Sequence, residues 1–253
     1  ALYLTSGYVY SSAAEAEAAF RGETEHYMYS RFSNPTVDTF GERLRLLEEK
    51  WRGRRLDSDP LELPHRYTAP ADREVVAFLA ASLAFGRVGS IRDSLERLLA
   101  SLGPSPAAAV ARDAWDASRL DGFVHRWVDS RSLRPFLRAV GATLRVDGSL
   151  AALFSAGDDG GPDYVPARER FFARMRARSR AAPRAAPRGL LFLLPSPGNG
   201  SACKRAHLFL RWVVRTEDLD LGLWRGARFS PARLLLPMDT HVHRISRYLG
   251  LTA

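Results

Sequence analysis

The chain has 253 residues, of which 46% are hydrophobic and 26% are charged, a composition typical of a globular protein with a substantial core. No apolar run approaches the roughly 18 residues of a membrane span, and no basic-then-apolar signal segment opens the chain, so a cytoplasmic protein without a membrane partner is expected. A single cysteine excludes an internal disulfide, and a net charge of +9 favours a polyanionic partner.

The charge changes sign near residue 50. Residues 1–48 contain four arginines and seven carboxylates, whereas the rest of the chain carries a net charge of +12. Only two of the 37 cations are lysines, Lys50 and Lys204. We therefore expect a short N-terminal arm over residues 1–50 and a separate domain over residues 51–253.

The arm begins with the strand-like "YLTSGYVY" and ends with a helix start at "NPTVDTFGERLRLLEE". The amino-acid sequence of this arm, above all "YSRFSNPT", resembles the N-terminal arm of the pyridoxal-phosphate enzymes of Cys/Met metabolism, especially the O-succinylhomoserine sulfhydrylases. The resemblance implies cofactor-phosphate contacts for Tyr29 and Arg31. Nothing downstream resembles the cofactor domain of that family or its Schiff-base lysine. No cofactor is therefore expected, and pyridoxal phosphate belongs only to the alternative in which this fragment is functional.

From residue 57 the pattern is almost wholly helical. "PADREVVAFLAASLAFGR" carries a stripe of Val75, Val76, Leu79 and Leu83, and "SIRDSLERLLASLG" repeats the pattern with Gly103 as its stop. "LDGFVHRWV" and "SLRPFLRAVGATLRV" are predicted as further helices, the second starting near Pro135. Helices joined by short turns favour an all-α domain.

The segment "PSPGNGSACKRAHLFLRWVVR" carries the sharpest pattern. A Pro/Gly-rich turn leads into a helix for which Ser201 is the predicted cap, and four basic residues share one helix face: Lys204, His207, Arg211 and Arg215. Backbone N–H groups of a glycine turn at a helix start can hold a phosphate, which makes Gly198 and Gly200 candidate clamps. Trp212 and Trp224 could stack on a base or belong to the core.

The last predicted helix, "MDTHVHRISRYLG", turns Val242, Ile245 and Leu249 toward the core. Asp239 stands at its start, either as a helix cap or as the carboxylate of an active site, and the two roles are compatible. His241 and His243 do not share a helix face, so no metal site is expected.

Together, "GRVGSIRDSLERLL", "FLLPSPGNGSACKRAHLFLRWVVR" and "LLLPMDTHVHRISRYLGL" resemble an uncharacterised bacterial family over residues 57–253 and, more distantly, the helix-hairpin-helix DNA glycosylases. The resemblance implies a mainly α, glycosylase-like fold. Both families continue beyond the Asp239 helix, so a domain truncated at its C-terminus is expected.

The glycosylase resemblance also implies a partner and residue roles. DNA is the expected partner, and the activity would be base excision or abasic-site cleavage in DNA repair. Asp239 would be the catalytic carboxylate, and Lys204 would be the nucleophile or a phosphate contact. The remaining DNA contacts would come from Gly198, Gly200, Ser201, Arg205, His207, Arg211 and Arg215. A non-catalytic nucleic-acid-binding module and a sulfhydrylase-like fragment remain the alternatives.

Overall fold

The computed structural model describes residues 10–21, 59–181, 185–195, 202–216, 219–236 and 240–248, together with scattered positions between 23 and 49. The chain divides into two compact units, Ala1–Arg55 and Leu56–Ala253. In the first unit α1 spans Ala13–Phe20 and is capped by the hydroxyl of Ser12, which accepts a hydrogen bond from the N–H of Glu15. Helical positions recur between residues 38 and 46, within the predicted helix.

The second unit is mainly helical, which confirms the predicted fold class at that level. Its α-helices are α2 (Glu62–His65), α3 (Pro70–Leu83), α4 (Val88–Leu102), α5 (Pro106–Arg112), α6 (Ser130–Asp147), α7 (Leu150–Ser155), α8 (Val165–Arg178), α9 (Arg188–Leu193), α10 (Lys204–Val214) and α11 (Thr240–Tyr248). Two 3-10 turns cover Ala117–Leu120 and Pro231–Arg233. The described strands are β1 (Val124–His125) and β2 (Val128–Asp129).

Helix α3 is the centre of the core. It is buried over almost its whole length, and the predicted stripe of Val75, Val76, Leu79 and Leu83 has no exposed surface. Phe78 contacts three further rings, those of Phe136, Phe171 and Phe209, with centroids 5.1–5.8 Å apart. Helix α10 packs against α3, so its position is fixed by the most buried element of the domain.

Helix α6 begins at Ser130, five residues before the predicted start at Pro135. The carboxylate of Asp129 caps it, accepting hydrogen bonds from the backbone N–H of Ser132 at 3.0 Å and from the Ser132 hydroxyl at 2.7 Å. This cap and the buried Leu133 hold the first turn in place, although Pro135 lacks the N–H that would continue the helical ladder.

The predicted helix at "LDGFVHRWV" is wrong, because this segment forms the antiparallel hairpin of β1 and β2. Val124 pairs with Asp129, and His125 pairs with Val128, across a two-residue turn in which Arg126 has a φ of 55°. The ring of buried His125 fixes the hairpin: its Nε2 lies 3.0 Å from the carbonyl oxygen of Phe85. Its Nδ1 lies 2.9 Å from the Ser94 hydroxyl. A tertiary anchor thus overrides the helical pattern.

A buried carboxylate, Glu74 on α3, holds the segment that follows α10. It accepts hydrogen bonds from the backbone N–H groups of Leu150 and Ala151, and from the indole N–H of Trp224 at 2.7 Å. Burial raises the pKa of Glu74, and these three donors oppose that shift. Trp224 is therefore part of the core, as is Trp212, which settles the alternative left open for both rings.

Candidate nucleic-acid interface

Helix α10 begins at Lys204, with Cys203 rather than Ser201 at the N-cap position. Cys203 has a left-handed backbone conformation, φ 46° and ψ 37°, and its carbonyl oxygen accepts hydrogen bonds from the N–H groups of Ala206 and His207. The predicted cap is thus wrong by two positions. The helix buries Ala206, Phe209, Leu210, Val213 and Val214, as the sequence pattern predicts.

The outward side of α10 is a cationic stripe, which we define as Lys204, Leu208, Arg211 and Arg215. These residues are spaced four, three and four apart, so they follow one side of the helix. Lys204 and Arg211 are exposed, whereas Leu208 and Arg215 are half-buried. The stripe bears positive charge only.

Asp220 orients the two arginines of the cationic stripe. Its carboxylate is 2% exposed, and Oδ2 lies 3.3 Å from Nε of Arg211 and 3.5 Å from Nε of Arg215. Asp220 is brought there because the chain turns back on α10: the N–H of Leu221 donates to the carbonyl oxygen of Trp212 at 2.7 Å. One buried carboxylate therefore balances two guanidinium groups, and a net positive charge remains.

A cleft of about 430 Å³ runs beside the cationic stripe. Its lining comes from α10, including His207, Arg211 and Arg215, and from the later segment that includes Leu234, Leu235 and Leu236. Arg233 fixes the start of the leucine segment, because its guanidinium group forms a bidentate ion pair with Asp158, at 2.6 and 2.7 Å.

Arg205 lies on the inner side of α10. Its guanidinium group donates hydrogen bonds to the carbonyl oxygens of Ser82, at 2.6 Å, and of Phe192. It also lies 3.7 Å from the ring centroid of Phe192 and 5.2 Å from that of Phe85. Burial lowers the pKa of Arg205 to about 10, so the group is still charged at neutral pH. These contacts give Arg205 a structural position that tethers α10 to α3 and α9.

His207 is also directed inward. Nη1 of Arg168, on α8, lies 2.5 Å from Nε2 of His207. Because a guanidinium group can only donate, Nε2 accepts and His207 is the neutral tautomer protonated on Nδ1. Burial, followed by the charge of Arg168, lowers the pKa of His207 to about 4. Arg205 and His207 are therefore bonded to neighbouring helices, unlike the exposed Lys204 and Arg211.

A pocket of about 310 Å³ opens at the start of α10. Lys204 lines it together with Cys203 and Arg205, and most of the remaining wall is apolar, including Phe85 and Phe192. The exposed amine of the candidate nucleophile therefore lies beside a cavity of a size that holds a small organic group.

An aromatic cluster that the sequence pattern does not predict lies next to this pocket, and we call it the Trp127 platform: Phe85, Arg126, Trp127 and Phe192. The Trp127 ring stacks on Phe85 with centroids 5.2 Å apart and meets the edge of Phe192 at 5.0 Å. Half of Trp127 is exposed, and the guanidinium carbon of Arg126 lies 4.8 Å from its ring. In the sequence, only the adjacent Arg126 and Trp127 in "HRWV" indicate this cluster.

Several predicted site residues lie outside the described residues, so their predicted roles in binding or catalysis stay untested: Gly198, Gly200, Ser201 and Asp239, and in the arm Tyr29 and Arg31. Within the described part of the chain, no group of three or more His, Cys, Asp or Glu residues could hold a metal ion. No helix of that part is long and apolar enough to cross a bilayer.

The comparisons with known proteins divide the chain as its charge does. A family model described as "Protein of unknown function (DUF2400)" matches residues 59–253. The chain belongs to that family. No solved structure matches it.

Relatives of a second kind cover only a short segment. The O-succinylhomoserine sulfhydrylases of two Mycobacterium tuberculosis strains are 69% identical to this chain over 48 residues, and that of Pseudomonas aeruginosa is 54% identical over the same length. Each match covers 19% of this chain and 12% of the relative. The similarity predicted for the arm is confirmed, and it extends to an eighth of those proteins.

Proposed function

We propose that this protein binds DNA as a helix-hairpin-helix glycosylase-like protein, with α10 as the contact helix, and that it acts on abasic sites. The observation that carries the proposal is the cationic stripe, which presents an amine and two guanidinium groups along one side of a helix anchored in the core. Arginines oriented by a buried carboxylate are suited to phosphate oxygens, because their geometry is set before the partner arrives.

The proposal divides the basic residues of α10 into two groups. Arg211 and Arg215 contact the DNA backbone and Lys204 reaches the abasic sugar, whereas Arg205 and His207 hold the helix to its neighbours. We therefore assign no DNA contact to the second pair. Phosphate contacts of this kind release counterions, so binding weakens steeply as salt rises.

The first test measures DNA affinity as a function of salt. Removal of one phosphate contact in Arg211→Gln or Arg215→Gln is expected to lower the slope of log affinity against log salt by about one. Arg134→Gln is a matched control, since this arginine lies on α6 and is paired with Asp121. Equal slopes of log affinity against log salt in all variants would show that α10 is not part of the DNA interface.

The catalytic part of the proposal rests on the exposed Lys204 beside its pocket. In an open-chain abasic sugar, C1′ is an aldehyde. The amine adds to C1′ and water leaves, giving an imine that can undergo strand cleavage. Borohydride delivers a hydride to the imine carbon and leaves a secondary amine that survives denaturation. Asp239, predicted from the sequence, would stabilise positive charge at C1′.

The second test is borohydride trapping on duplex DNA that contains an abasic site. Because the chain has two lysines, Lys50→Ala is a direct control for Lys204→Ala. We expect the adduct to persist in the first variant and to disappear in the second, with Asp239→Asn slowing its formation. Salt-sensitive binding without any adduct would instead identify a non-catalytic DNA-binding module.

A further inference from the structure

The exposed part of the Trp127 platform lies on the β1–β2 hairpin, which takes no part in the proposed DNA contacts. The hairpin carries Arg126 and Trp127 in its turn, and both are exposed. Single exposed apolar side chains are common, but Trp127 is contiguous with the half-buried rings of Phe85 and Phe192, and contiguous exposed apolar surface marks interaction sites. The Trp127 ring is moreover held in place, because Phe85 stacks on it and Phe192 packs nearly perpendicular to it.

The hairpin beneath the ring is fixed as well. Buried His125 connects it to α4 through Ser94 and to the end of α3 through Phe85. Helix α9 approaches so closely that a β-carbon on Gly189 would lie 2.5 Å from the Ser132 hydroxyl and 3.0 Å from the Trp127 carbonyl oxygen. Little conformational entropy is therefore left to lose when a partner binds Trp127.

Three exposed arginines adjoin the platform along the chain, and the carboxylate of the hairpin, Asp129, is paired with Arg131. Arg87 follows Phe85 by two residues, Arg126 precedes Trp127, and Arg188 begins α9; all three are exposed. None of them forms an ion pair with a described carboxylate. An apolar ring amid unneutralised guanidinium groups fits a partner that combines flat aromatic faces with negative charge.

We infer that the Trp127 platform binds an unpaired segment of nucleic acid, with a base packed against the exposed half of Trp127 and the flanking phosphates on Arg126, Arg87 and Arg188. Single-stranded nucleic acid has both features, whereas the bases of an intact duplex are already stacked on one another. The platform shares Phe85 and Phe192 with the pocket that Lys204 lines, so the two surfaces adjoin. The inference rests on the proposed function only in taking nucleic acid as the partner.

The experiment compares two labelled probes of equal length and charge, binding to the full chain. One is a short oligothymidylate, and the other is the same sugar–phosphate backbone with a tetrahydrofuran unit at every position, which carries neither a base nor the C1′ aldehyde that Lys204 would attack. Since stacking on an aromatic ring requires a base, Trp127→Leu is expected to weaken oligothymidylate binding about tenfold and to leave the baseless probe unchanged. Trp127→Phe, which keeps a ring, is expected to retain most of the affinity.

Val124→Ala is the control, because it truncates another exposed side chain of the same hairpin. The inference is overturned if Trp127→Leu binds oligothymidylate like the wild type or weakens both probes equally. It is also overturned if a polyglutamate peptide competes as well as oligothymidylate, which would indicate an acidic protein partner. Failure of the proposed function would give a different result, because the affinity for duplex DNA would then be unchanged in Arg211→Gln and Arg215→Gln.

Discussion

Gly141 shows how one missing methyl group sets the distance between two helices. It lies inside α6, where a β-carbon would come within 1.9 Å of the carbonyl oxygen of Val110 on α5. The obstacle is backbone rather than a flexible side chain, so α5 and α6 can reach this separation only if the position is glycine. The sequence "RAVGATL" gives no hint of this, because glycine within a helix is as consistent with a weak helix as with close packing.

We expect Gly141→Ala to destabilise the protein by about 1–3 kcal/mol, because the new methyl group would force α5 and α6 apart. The matched substitution is Gly89→Ala in α4, where no atom lies within 4 Å of the new methyl group. There alanine is expected to be neutral or to stabilise by about 0.5 kcal/mol, through a less flexible unfolded chain. Denaturant unfolding of both variants is the measurement, and equal effects would contradict this account.

At the scale of elements, the contact between Arg168 and His207 joins α8 to α10. His207 is neutral in the fold, with its pKa lowered from 6.5 to about 4, whereas in the unfolded chain it regains its ordinary pKa. Between pH 6.5 and pH 4 the unfolded state thus binds more protons than the folded state. Stability from this group is present above pH 6.5 and is lost as the pH falls through that window.

We therefore expect acidification from pH 7 to pH 4 to destabilise the wild type more than His207→Gln. Glutamine has an oxygen that can accept the hydrogen bond from Arg168, but it does not titrate. The midpoint of denaturant unfolding is measured at several pH values, and its slope against pH is compared between the wild type and His207→Gln. Parallel slopes would show that His207 is protonated in the fold and does not bond to Arg168 in this way.

Elements also show where sequence patterns succeed and where they fail. The apolar stripes of α3 and α10 are buried as predicted, because a period of 3.6 residues identifies the inner side of a helix without knowledge of its neighbours. Ile245 on α11 was assigned to the core in the same way, yet 59% of it is exposed. Periodicity identifies which side of a helix is apolar, but not whether another element covers it.

At the scale of the whole molecule, the hydrophobic cluster of the domain is contained in one unit. Its members among the described residues all lie between Leu61 and Trp224, within Leu56–Ala253. A core formed within one stretch of chain is a requirement for independent folding. The family match over residues 59–253 covers almost the same stretch.

We expect residues 56–253, produced without the arm, to unfold cooperatively and to keep their salt-sensitive DNA binding. Deletion up to residue 87 is the control, since it also removes α3 and with it the centre of the core. Circular dichroism during heating distinguishes the two fragments. A non-cooperative transition in the 56–253 fragment would show that its core depends on residues of the arm.

The sequence by itself determined the helical class of the domain, the charge boundary near residue 50, the buried sides of α3 and α10, and the similarity of the arm to sulfhydrylases. These follow from composition and from short periods, which depend on neighbours along the chain. Tertiary structure decided which basic residues of α10 face outward, because the burial of Arg205 and His207 depends on α3, α8 and α9. It also decided that a predicted helix is a hairpin presenting Trp127, since His125 finds its partners 31 and 40 residues away.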